Sequence, residues 1–378
     1  MSQLARTNEG VSTVERVLVI GAGLIGTSVA LALRDKGSEV WLSDRDQATA
    51  RLAADLGAGT VVPDLRDAKG IADVAVLAMP PASVAAVLGY AQECAVAEAY
   101  TDVASVKVLP VQQARERGCD LGTYVPGHPL AGREKNGPGA GRADLFLGRT
   151  WALCPLAENL PAAVDAVTGL ILACGANPVR VDPQTHDQWV ALVSHAPHVA
   201  SVAMAAQLAR PSVPPQALGL AGQGLRDVTR IAEGDPGLWT QILAANAGPV
   251  AEVLRAVSAE LAEAARVLSD AVAAPPGPSA ATAVTELLER GNAGVARLPG
   301  KHGGQQRELT VVQVVIKDQP GELARLFNAA GDAGVNIEDI RIEHSPGLPV
   351  GVAELSVRPA EAARLLDAME AGGWPVRR

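Results

Sequence analysis

The stretch VERVLVIGAGLIGTSVALALRDKG (14–37) constrains the fold more than any other part of the chain. An apolar strand-like run, VLVI, leads into a glycine turn and then an amphipathic helical segment. Each glycine answers a physical need. Gly21 permits a tight turn, Gly23 lets the backbone approach a pyrophosphate, and Gly26 lets the helix lie close on the strand. The helix N-terminus then faces the phosphate charge. EVWLSDRD reads as the second strand, and Asp44 stands 18 residues after Gly26. That is close to the spacing of the acid that hydrogen-bonds a ribose 2′-hydroxyl. Gly21, Gly23, Leu24, Ile25, Gly26 and Asp44 are the predicted cofactor contacts. A carboxylate here repels a 2′-phosphate and favours NAD over NADP, while the neighbouring Arg45 is of a type that accommodates that phosphate.

ADVAVLAMPP supplies a later strand, and strands alternate with helical stretches, which predicts a Rossmann-type parallel α/β sheet over 14–181 behind a loose tail, 1–13. From 182 to 300 long Ala/Leu/Val segments at helical spacing replace the β-branched runs, so this part is expected to be all-helical. It contains a Pro-rich linker (271–281), a short helix (TAVTELLER) and a basic, Gly-rich segment (298–304). Residues 308–378 read as strand, helix, strand, strand, helix and short strand, the order of a ferredoxin-like α+β module. Two or three domains are the expectation for 378 residues.

A net charge of −9 argues against a nucleic-acid partner. No signal peptide and no uninterrupted apolar run of membrane-spanning length is seen, so the expectation is a soluble, cytoplasmic protein with no membrane partner. Cys94, Cys119, Cys154 and Cys174 are widely spaced, without CxxC, and read as reduced core thiols.

The chain has six histidines, and GHPLAGRE (127–134) places His128 near the predicted carboxyl edge of the sheet, where open α/β folds hold ligands. TDVASVK (101–107) brings Ser105 to the neighbouring strand end. In VDPQTHDQWVALVSHAPHVA (181–200), His195 and His198 are i, i+3 and share a helix face; His186 has a structural reading as well. No carboxylate or cysteine stands at HExxH-like spacing, so no metal is expected. GLRDVTRIAEGDPGLW (224–239) carries Asp227, Arg230 and Trp239. Asp227 and Arg230 form either a helix-surface ion pair or a guanidinium held for a substrate carboxylate, which its planar fork suits.

Together, GAGLIGTS, TDVASVK, GHPLAGRE, HDQWVALVSHAPHVA and GLRDVTRIAEGDPGLW resemble the prephenate/arogenate dehydrogenase family of tyrosine biosynthesis, in the family's order over about 16–250. DQPGELARLF (318–327) and GVNI (334–337) resemble an ACT domain, an amino-acid-sensing module. The resemblance implies NAD-dependent oxidative decarboxylation of prephenate or arogenate, and a helical domain that forms a homodimer. It implies His128 as the proton acceptor with Ser105 beside it, and Arg230 on a substrate carboxylate. His198 then contacts substrate, Trp239 walls the pocket, and Asp227 and Glu134 organise it. Asp318, Gly321, Asn336 and Ile337 would form the effector site, with tyrosine the expected effector. An aminodeoxy-prephenate substrate is a further possibility within the family. Outside it stand another ACT-bearing dehydrogenase, for homoserine or a 2-hydroxy acid, and a non-catalytic NAD- and amino-acid-sensing regulator. GHPLAGRE with SHAPH and RDVTR weighs against the former, and the presence of His128, Ser105 and Arg230 against the latter.

Overall fold

Alternate residues of a strand face opposite sides, and in RVLVI both sides are buried: Val17 and Val19 join one apolar cluster, Leu18 and Ile20 another. This is the mark of a parallel sheet covered by helices on both faces. The computed structural model describes residues 14–132, 136–273, 278–298, 308–344 and 349–377. The predicted tail, Glu134 and most of segment 298–304 lie outside them. The chain forms two compact units, 1–258 and 259–378.

In the first unit β1 (Arg16–Ile20), β2 (Glu39–Ser43), β3 (Thr60–Val61), β4 (Ala72–Leu77) and β5 (Ala97–Asp102) form a parallel sheet of order β3-β2-β1-β4-β5. Its helices are α1 (Leu24–Arg34), α2 (Gln47–Asp55), α3 (Pro81–Glu93), α4 (Val108–Glu116) and α5 (Pro161–Ala173). Val29 and Leu33 of α1 and Val167 and Leu170 of α5 fill one face, while Val84 and Leu88 of α3 and Val111 of α4 fill the other. Burying each such side chain contributes about 1.5–3 kcal/mol.

β6 (Gly127–Pro129), β7 (Thr150–Leu153) and β8 (Asn177–Arg180) make a second, mixed sheet in which His128 pairs with Ala152. His128 thus stands on a short strand, where a loop was expected, because GHP finds an antiparallel partner in TWAL.

Helices follow: α6 (Pro183–Val190), a π-helical turn (Ala191–His195), α7 (Ala196–Leu208), α8 (Pro215–Leu218), α9 (Gln223–Thr229), a 3-10 turn (Arg230–Glu233), α10 (Pro236–Ala245) and α11 (Ala247–Ala273). Asp182 and Asp235 start α6 and α10 by accepting the Thr185 and Leu238 backbone N–H at 2.9 and 2.7 Å, with proline next in each case. Pro183–Leu208 is one helical stretch of 26 residues whose most apolar 18-residue window has mean hydropathy 1.3, long and apolar enough to cross a membrane by length and composition. It nevertheless buries His186, Asp187, His195, His198 and Ser201 against the rest of its unit.

In the second unit α12 (Pro278–Val295) is longer than the short helix expected over TAVTELLER and begins inside the predicted linker. Glu260 and Arg290 bridge α11 and α12 at 2.7 Å. Beyond them β9 (Thr310–Lys317), α13 (Glu322–Asp332), β10 (Asp339–His344), β11 (Val350–Val357), α14 (Pro359–Ala371) and β12 (Val376–Arg377) form an antiparallel sheet of order β10-β11-β9-β12, the ferredoxin-like arrangement. Val312, Val314, Leu326, Leu355, Leu365 and Met369 build its core. Buried Glu322 accepts from Trp374 Nε1 (2.7 Å) and Arg325 (2.8 Å), and these bonds hold its carboxyl down at about 2.

Candidate active site

The glycine turn after β1 separates what the fold needs from what a ligand needs. Gly21 has φ +102°, and a Cβ there would stand 2.2 Å from the Ala78 carbonyl oxygen. A Cβ on Gly26 would stand 1.9 Å from the Gly21 oxygen, whereas at Gly23 nothing lies within 4 Å. Gly23 is the residue before α1, with extended backbone and no side-chain cap, so the helix N–H groups are open to an anion. Asp44, one residue past β2, accepts the Ala22 N–H at 2.7 Å and the Asp46 N–H at 2.9 Å. This anchors its carboxylate beside the turn with lone pairs left over. The residues fit a dinucleotide: Gly23 to Gly26 for the pyrophosphate, Asp44 for the ribose.

A cavity of about 500 Å³ opens at this edge of the sheet, lined by Gly23, Leu24 and Ile25 together with Ser105, His128, His195, His198 and Trp239. The predicted helix face therefore forms: His198 stacks on Trp239 at 3.5 Å and 6°, and His195 meets the same ring edge-on at 6.1 Å. Gly234 allows this, since a Cβ there would lie 2.3 Å from Trp239 Nε1.

Beneath the cavity runs a buried polar network. Lys107 is ion-paired with Asp102 and donates to the Gly127 carbonyl at 2.5 Å, while Tyr124 donates to Asp102 at 2.7 Å. The end of β5 is thereby tied to the residue before His128. His128 Nδ1 lies 3.0 Å from His186 Nε2, and His186 Nδ1 lies 2.7 Å from Asp187 Oδ1. Burial first, and then the neighbouring His186 and Lys107, hold the His128 imidazole well below its ordinary value. Burial likewise lowers His195 to about 4 and lowers His198, which bonds the Ile231 backbone. These are neutral imidazoles near pH 7, and a neutral imidazole can accept a proton.

Of the other predicted residues, Arg230 stands in the 3-10 turn next to cavity-lining Ile231, and neither it nor Asp227 lines the cavity. Asp227 accepts from Gln223 at 2.8 Å. In the second unit Asp318 and Gly321 precede α13 while Asn336 and Ile337 follow it. The 11-residue α13 stands between the two pairs along the chain. Sequence reasoning missed Asp102, Lys107, Asp187 and Asn246. Each is a polar residue that ends up buried, and only tertiary contact reveals its partner; HDQ in 186–188 was the one local signal.

A dinucleotide turn with a histidine-lined cavity at its open edge defines an NAD-dependent dehydrogenase of the α/β class. Residues 29–180 match the nucleotide-binding domain of prephenate dehydrogenase, and 182–274 match its dimerization domain. "Probable prephenate dehydrogenase NovF" from Streptomyces niveus is 38% identical, covering 95% of this chain and 98% of its own. The cyclohexadienyl dehydrogenase of Zymomonas mobilis is 32% identical over 65% of this chain and 86% of its own. The crystal structure of Synechocystis arogenate dehydrogenase superposes with TM-score 0.61 at 25% identity, covering 74% of this chain and 98% of that one. The chain belongs to the prephenate dehydrogenase family.

Proposed function

We propose that the enzyme converts prephenate to 4-hydroxyphenylpyruvate and carbon dioxide. The observation that carries this reading is the shared cavity, in which the cofactor turn Gly23–Ile25 and the neutral His128 line one space. With Nδ1 taken by His186, Nε2 is the His128 nitrogen available to a substrate hydroxyl. Bound NAD supplies the hydride acceptor. His128 takes the hydroxyl proton as C4 becomes a carbonyl-like carbon, C1 loses its carboxylate, and aromatisation drives the step. Ser105 orients the hydroxyl, His198 and Trp239 wall the ring, and Arg230 engages a carboxylate, with Asp227 and Glu134 organising that end. Residues 182–274 serve as the homodimer contact, and the enzyme works in the cytoplasm. The ferredoxin-like module acts as an ACT-like sensor of tyrosine, using Asp318, Gly321, Asn336 and Ile337.

NADH formation with prephenate and, separately, with arogenate tests the substrate. Faster turnover of prephenate supports the proposal. Preference for arogenate would transfer the assignment to the amino substrate, and Asp235, the acidic side chain among the described lining residues, would be the ammonium partner to examine. Turnover of neither sinks both.

A further inference from the structure

Asp187 reaches the cavity by two routes, one through its side chain and one through its main chain. Its carboxylate oxygens accept the Lys107 and Val108 backbone N–H groups at 2.8 and 2.9 Å, and Oδ1 faces His186 Nδ1 at 2.7 Å. An accepting oxygen makes His186 the donor at Nδ1, and a singly protonated His186 then keeps its lone pair at Nε2. That lone pair faces His128 Nδ1 at 3.0 Å, which places the His128 proton on Nδ1 and leaves Nε2 bare.

The main chain works in the opposite sense. The Asp187 carbonyl accepts from Asn246 Nδ2 at 2.8 Å, which fixes the orientation of the amide, and the same amide nitrogen lies 3.1 Å from His195 Nδ1. His195 Nδ1 is then the acceptor and its proton sits on Nε2. Asp187, His186 and Asn246 are each 2% exposed and His195 1%, so water offers no competing partner and the network dictates the tautomers.

We infer that Asp187 sets opposite tautomers on two cavity-lining histidines, a bare Nε2 on His128 and an Nε2–H on His195. The pair suits a substrate carrying a hydroxyl to be deprotonated and a second, anionic oxygen to be held. When the hydroxyl O–H bond breaks, an N–H bond forms at His128 Nε2; the imidazolium keeps its Nδ1–H on His186 Nε2, and His195 donates to the other oxygen. Asp187, His186 and Asn246 act through these histidines as positioning residues. The inference rests on His128 being the base.

The test is ¹⁵N-histidine NMR of the full-length protein saturated with NAD, with the six rings assigned by substitution. The expected wild-type spectrum shows His128 protonated at Nδ1 and His195 at Nε2; either opposite tautomer overturns the inference. Asn246→Asp puts an acceptor before His195 Nδ1 and should flip that ring, and His186→Ala should release His128 to a tautomer mixture. Each should lower kcat/KM for the substrate about 10- to 100-fold, between no effect and loss of the base, with the Kd for NAD unchanged. Flipped tautomers with unchanged kcat/KM overturn the catalytic role. Should both variants misfold, the wild-type spectrum still decides. Unchanged turnover in His128→Asn would instead remove the base assignment, a failure the tautomer readout does not share.

Discussion

A methyl group added at Gly26 would stand 1.9 Å from the Gly21 carbonyl oxygen, whereas one added at Gly23 meets nothing within 4 Å. The two alanine variants should therefore fail differently. Gly26→Ala forces helix and strand apart and should cost about 1–3 kcal/mol or more in denaturant unfolding, as overpacking does. Gly23→Ala should unfold like wild type but bind NAD about tenfold or more weakly, since the added carbon occupies space left for the pyrophosphate. Wild-type NAD affinity in Gly23→Ala would remove that residue from the site. His128→Asn should keep NAD binding and lose a factor of about 10²–10⁴ in kcat, the usual worth of acid–base help. Burial and neighbouring charges lower the His128 pKa, so the neutral base persists into mild acid. The acid limb of kcat/KM should accordingly fall below the free-imidazole value of about 6.5; a limb at or above that value contradicts a buried base. The glycines, Asp44 and His128 were legible because each chemistry is written in a local pattern. His186 and Asp187 were not, because the partners that give them roles, His128 and the start of α4, lie 58 and 80 residues away.

Among the elements, β5, β6 and the start of α4 are tied together by one buried ion pair. Lys107 and Asp102 are both fully buried, and Lys107 also holds the Gly127 carbonyl. Such a pair adds little net stability over an apolar replacement, but removing one partner strands the other charge. Lys107→Ala should thus destabilise the first unit by about 3–5 kcal/mol, and the double variant Lys107→Met/Asp102→Leu should recover much of that loss. Asp102 also accepts the Ala104 N–H at 2.9 Å, so a Lys107→Ala protein as stable as wild type would show that Tyr124 and this N–H satisfy the carboxylate alone. The helices and strands themselves were readable from periodicity, from VLVI to the βαββαβ order of the C-terminal module. What periodicity could not give was β6, a three-residue strand too short to alternate, or the π-helical turn that brings His195 round to Asn246.

At the scale of the whole molecule, the matches to the family's two domains end at residue 274, while the ferredoxin-like module beyond carries a core of its own. The DQPGEL and GVNI motifs flank α13. A turn motif specifies its own backbone and says nothing about which other turn it meets. If the module is the tyrosine sensor, ending the chain after residue 307 should leave NADH formation from the first unit within a few-fold of wild type and abolish inhibition by tyrosine. Asp318→Ala, which leaves the module's core untouched, should weaken inhibition without changing uninhibited turnover. Inhibition that survives the truncation would move tyrosine to the cavity itself, where a product-like ring stacked near Trp239 would compete with substrate. Equilibrium binding of tyrosine to the truncated chain then separates the two sites, because a ligand in the cavity still binds and is displaced by prephenate, while one held by the module is lost with it.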